Sequence, residues 1–91
     1  MRRSSRMKHV ARVVMLYKKE LAECGIGCEL KEDGLTLLMR SGDHEVETFW
    51  VGNSVAIMAS PPQFVGASQK RLLADIIISL IAISVSETQG K

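Results

Sequence analysis

The sequence predicts an α+β domain: an N-terminal helix, a four-stranded antiparallel meander and a C-terminal helix, with both helices on one face of the sheet. Three observations predict it. Apolar residues recur every three or four positions near both ends of the chain. Between those ends, apolar and polar residues alternate in short runs. The runs are separated by Asp33-Gly34, Ser41-Gly42-Asp43 and Gly52-Asn53, which is turn chemistry. At 91 residues, 46% apolar and 24% charged, the chain reads as one folded domain over residues 1–91, because a disordered segment of that length would be more polar.

Each element has its own signal. From Met7 to Cys24, the positions Val10, Val14, Tyr17, Leu21 and Cys24 form one helical stripe, widened by Val13 and Leu16. Ser4 or Ser5 supplies a cap at its start, and Gly25 and Gly27 permit its end. Cys28 to Glu32 forms the first strand and leads into the hairpin signal Asp33-Gly34. In the second strand Leu35, Leu37 and Met39 point one way, and Thr36, Leu38 and Arg40 the other. Glu45 to Val51 is the third strand, and Ser54 to Ser60 the fourth, with Val55 and Ile57 on one face. Pro61-Pro62 ends the sheet, since proline donates no ladder bond. A second helix runs from Ala67 or Ser68 to Ser86, with an inner stripe of Leu73, Ile76, Ile77, Leu80, Ile81 and Ser84. Residues 1–6 read as a basic arm and 87–91 as a polar tail.

Charge is unevenly placed. Residues 1–19 hold seven basic side chains and no acid, whereas residues 20–91 hold five basic and ten acidic ones. The net charge of +2 therefore combines a segment of +7 with a body of −5. Arg2, Arg3, Arg6, Lys8, Arg12 and Lys19 are the expected phosphate contacts, with Lys70 and Arg71 at the start of the second helix. A start at Met7 would remove the first three of these. Both helices reverse the usual order of charge along a helix, with bases early and, in the first, Glu20 and Glu23 late. An anion docked at the basic ends would relieve that cost.

The element order resembles the layout of double-stranded RNA-binding domains, and Gly66-Ala67-Ser68-Gln69-Lys70-Arg71 is similar to the basic start of that family's last helix. The resemblance covers element order and six residues. It implies phosphate contact by Lys70 and Arg71. The chain departs from the family in having four strands rather than three, a more apolar second helix, and Pro61-Pro62 before it.

Motifs for catalysis are missing. Gly25-Ile26-Gly27 lacks a third glycine and precedes a strand, so it is not a dinucleotide fingerprint. Cys24 and Cys28 read as core thiols rather than as a zinc arm or a redox pair. His9 and His44 read as solvated side chains, and Glu45 and Glu47 as one solvated strand face. No metal, cofactor or enzymatic activity is expected. The apolar run Leu72 to Val85 is shorter than the ~20 residues of a membrane span, and the N-terminus lacks the apolar stretch of a secretory signal. A cytoplasmic location follows as the expectation.

Two functional readings result. The first is a non-catalytic protein that binds DNA, RNA or another polyanion through the basic helix face. The alternative is a protein-interaction module, such as a regulator, inhibitor or assembly chaperone, that acts through an apolar surface. Leu38, Phe49, Val51, Met58 and Ile78 are its expected contacts, covered by a homodimer mate or a partner protein.

Overall fold

Three glycines held at positive φ decide where the middle of the chain reverses: Gly34 (φ 72), Gly42 (φ 61) and Gly52 (φ 62). Such angles cost an L side chain energy and cost glycine little. A computed structural model describes residues 5–59 and 66–89. Arg2, Arg3, Ser4, Ser60, Pro61, Pro62 and the last two residues lie outside the described residues. The elements are α1 (Ser5–Glu23), β1 (Gly27–Leu30), β2 (Leu37–Ser41), β3 (His44–Val51), β4 (Ser54–Ala59) and α2 (Ala67–Gln89). The strands form one antiparallel sheet in the order β1-β2-β3-β4. The predicted α+β architecture is therefore the observed one.

Several boundaries shift from expectation, most by one residue. Arg6 belongs to α1 rather than to an arm, and Glu87 belongs to α2 rather than to a frayed tail. Strand β1 ends at Leu30, and β2 begins only at Leu37. The loop between them is longer than a two-residue hairpin because Asp33 organises it. Its carboxylate accepts from the backbone N–H groups of Leu35 and Thr36, both at 2.8 Å, and from the Thr36 hydroxyl at 2.6 Å. A side chain that caps its own loop in this way competes with continuation of the ladder.

Helix α1 ends in a Schellman motif. The Ile26 N–H donates to the Leu21 carbonyl at 2.9 Å, and the Gly25 N–H to Ala22 at 3.1 Å, with Gly25 at φ 71. Leu21 and Ile26, the two residues the motif brings together, are both buried. The core draws Val10, Val13 and Leu21 from α1, Leu37, Met39 and Val46 from the sheet, and Leu72, Leu73, Ile76, Leu80 and Ile83 from α2. All the sheet residues in it share one face in the observed register. Both helices therefore cover the same face.

The helices run antiparallel. Arg6 of α1 meets Glu87 near the end of α2, while the Gln69 side chain at the start of α2 donates to the Cys24 carbonyl at the end of α1. Midway, the Tyr17 and Ser79 hydroxyls lie 3.3 Å apart. This contact with α1 turns the buried stripe of α2 away from the one expected: Leu72 and Ile83 are inside, while Ile81 is 45% exposed.

Candidate functional site

A helix with cations near its N-terminus is destabilised unless an anion is close. For α1 that anion is the chain's own. The Arg6 Nη2 lies 2.6 Å from Glu87 Oε1, and its Nε lies 3.0 Å from both carboxylate oxygens. The same guanidinium donates to the Gly52 carbonyl and to Asn53 Oδ1, each at 3.0 Å. It also lies over the Trp50 ring, 4.2 Å from the centroid. Hydrogen bonding to Arg6 holds the Glu87 carboxyl below the ordinary carboxylate range, with a smaller contribution from His9. The same bond raises the Arg6 pKa. Two charges that each oppose their own helix dipole thus cancel each other across the antiparallel pair.

Arg6 is consequently a structural residue, and its donors are committed within the fold. Lys8, Arg12 and Lys19 remain exposed along one side of α1. They span ~17 Å at 1.5 Å per residue. Met15 lies between them and is 68% exposed. Among the described residues none of the three forms an ion pair. Lys70 and Arg71 are exposed on the first turns of α2, and Asp75 makes no ion pair with Arg71. Arg2 and Arg3 lie outside the described residues, so the row rests on the helix alone.

The opposite side of the molecule carries the other sign. In the observed register Glu29, Leu38, Glu47 and Met58 form one row across the sheet face that no helix covers. Arg40 and Glu45, directly opposed on β2 and β3, form an exposed ion pair at 2.8 Å. Of the expected apolar contacts here, Val51 and Met58 are each 61% exposed and Phe49 is half-buried. Leu38 is only 7% exposed. It forms the floor of two shallow grooves whose other walls include Arg40, Glu45, Glu47 and Met58, so longer neighbours shield it from direct contact. Trp50 packs under the helices, whereas Phe49 faces the other way. Ile78, the remaining expected contact, is 61% exposed on α2.

Cys24 and Cys28 are both free and half-buried, and burial pushes the Cys28 thiol pKa up. A raised thiol pKa leaves little thiolate at neutral pH. Among the described residues no three His, Cys, Asp or Glu side chains converge as metal ligands. Among them, no helix is long and apolar enough to cross a membrane.

Glu87 and Gln69 are the two polar anchors that the sequence reading overlooked. The signal for Glu87 was present: an acid near the end of one helix and a base near the start of the other, each unfavourable alone. Comparison with protein-family models, with curated proteins and with solved structures gives no match.

Proposed function

We propose that the chain is a small, non-catalytic, cytoplasmic binding protein whose α1 face docks on nucleic acid or another polyanion. The observation that carries this reading is the row Lys8, Arg12 and Lys19, exposed and without ion pairs among the described residues. The sheet face with Glu29 and Glu47 repels a polyanion and so directs it to the helices. Lys70 and Arg71 extend the contact at the start of α2. Contacts of this kind go to phosphates and carry little sequence information.

The test is a fluorescence-anisotropy titration with duplex DNA across salt concentrations. Five neutralised phosphates give a log–log slope of about −4 to −5, and the α1 row alone gives about −3. Arg12→Glu combined with Lys19→Glu is expected to abolish binding while the fold survives, since both side chains are exposed. Absence of binding at low salt, or affinity unchanged by the double reversal, refutes the reading.

A second reading, a protein-interaction module, is favoured by a separate observation. Among the described residues eight large apolar ones are exposed: Met15, Leu16, Val51, Ile57, Met58, Ile78, Ile81 and Val85. So many on a small chain suits an association surface.

A further inference from the structure

The structure assigns the free edge of β4 and the adjoining side of α2 to a second copy of this chain, in a two-fold dimer. The inference rests on the second reading above and is independent of polyanion binding.

The edge itself is the starting point. β4 is the last strand of the sheet, and its sequence Ser-Val-Ala-Ile-Met-Ala contains no charge and no proline. Natural edge strands ordinarily carry one of these to prevent pairing with another chain. Val51 and Ser54 close a two-residue turn as a hydrogen-bonded pair. Bonding along an antiparallel ladder alternates. Ser54, Ala56 and Met58 therefore pair inward with β3, and Val55, Ile57 and Ala59 direct their N–H and C=O groups outward.

Apolar surface flanks this edge in both layers. Ile57 is 47% exposed on the helix side of the sheet, and Met58 is 61% exposed on the other. Ser84 of α2 donates to the Asn53 carbonyl just before β4. Ile81 and Ile77 share that side of the helix, one and two turns before Ser84. Ile81 is 45% exposed, and Ile78 beside it is 61% exposed.

An occupant of this surface must offer an open strand and an apolar layer on the same side as α2. A second copy does both. Antiparallel pairing of β4 with its equivalent places the two-fold axis perpendicular to the sheet, so the helices of both copies lie on one face. Residues facing each other must then point the same way. Centring the axis at Ile57 opposes Ile57 to Ile57 of the second copy and Val55 to its Ala59. All the outward backbone groups are then paired. The two α2 helices run antiparallel across the axis. Lys70 and Arg71 of one copy thereby approach the carbonyl end of the other, whose last turn carries no base.

The interface is small. Six residues of β4 and about as many on α2 make roughly a dozen per side, below the ~20–30 of a standard interface. The dimer is therefore a modest one, dissociating in the micromolar range.

The test is molar mass by light scattering on the full chain, treated with nuclease and measured in high salt, so that a bound polyanion contributes nothing. The expected mass rises from the 10.0 kDa of the monomer to twice that value between ~1 and ~300 μM. Ile57→Lys, with its folding checked by circular dichroism, is expected to stay monomeric throughout. Ile81→Glu, on the helix surface, is expected to raise the dissociation constant at least tenfold and serves if the first variant does not fold. A wild-type chain that stays monomeric at ~300 μM overturns the proposal. So does a dimer that both folded variants leave intact. Loss of nucleic-acid binding with dimerisation retained would refute only the polyanion reading.

Discussion

Removing the Arg6 guanidinium tests whether the ends of the two helices are fastened by charge. Its bidentate bond to Glu87 is charge-assisted, a class worth about 1.5–3 kcal/mol each way. The side chains are 20% and 24% exposed, so screening places the pair toward the lower figure. Stacking on Trp50 adds about 0.5–1 kcal/mol. The bonds to Gly52 and Asn53 are exposed and add little. Arg6→Ala is therefore expected to cost about 2–3 kcal/mol in urea unfolding followed by circular dichroism. For a chain of this size that corresponds to a fall of roughly 10–20 °C in Tm. Arg6→Lys keeps the charge but loses the planar fork, and should recover less than half of the loss. A double-mutant cycle with Glu87→Gln should give a coupling of about 1–2 kcal/mol. The pH dependence has a definite sign. Glu87 titrates below its ordinary range when folded. Its contribution is full above the unfolded pKa of about 4.3 and is lost as pH falls through the lower folded value. A change under about 0.5 kcal/mol for Arg6→Ala, or zero coupling to Glu87, would refute the reasoning. Because Arg6 is held by the fold, the same variant should leave the salt slope of polyanion binding unchanged.

Substitutions at Gly34 and Asp33 probe the first hairpin, with Gly42 and Met7 as references. A Cβ at Gly34 would meet the Met7 Cε at 2.6 Å, on a backbone at φ 72, whereas a Cβ at Gly42 meets nothing within 4 Å. Both alanine variants incur about 1–2 kcal/mol from the left-handed backbone. Gly34→Ala should show a lower thermal midpoint than Gly42→Ala, and Met7→Ala should narrow the gap. Asp33→Ala leaves the Leu35 and Thr36 amides to solvent and should cost about 1 kcal/mol. Bonding to Thr36 and then to Leu35 lowers the Asp33 pKa. The difference between Asp33 and Asp33→Ala in unfolding free energy should therefore be full above the unfolded pKa of about 3.9 and shrink as pH falls through the lower folded value.

Local patterns were legible where a residue's neighbours in sequence decide its conformation. The turns at Gly42 and Gly52 fall where the glycines stand, because two residues at positive φ or a single glycine suffice to reverse a strand. The alternation in β3 places Trp50 and Phe49 on opposite faces, since a strand has a fixed period of two. Positions decided by packing between elements were less legible. The inner stripe of α2 was misplaced around Ile81 and Ile83, because nearly every candidate position on that helix is apolar. Only contact with α1 selects among them. Leu38 alternates onto the uncovered sheet face as expected, yet its burial by longer neighbours depends on cross-strand register, which alternation alone does not supply.

Charge shows the same division most sharply. Seven bases in the first nineteen residues suggest one cationic surface. The partner that removes Arg6 from it stands 81 positions away. Among the described residues the ion pairs of Arg6 with Glu87 and of Arg40 with Glu45 each take one charge of either sign and leave the net charge of +2 untouched. What they alter is its distribution. Lys8, Arg12 and Lys19 remain on the helix layer, and Glu29 and Glu47 on the uncovered sheet face, so the molecule is electrically two-sided. Pairing through β4 would set both helix layers on one side of a continuous sheet. The α1 rows of the two copies would then face the same way, and a long polyanion would meet cations twice where a monomer offers them once.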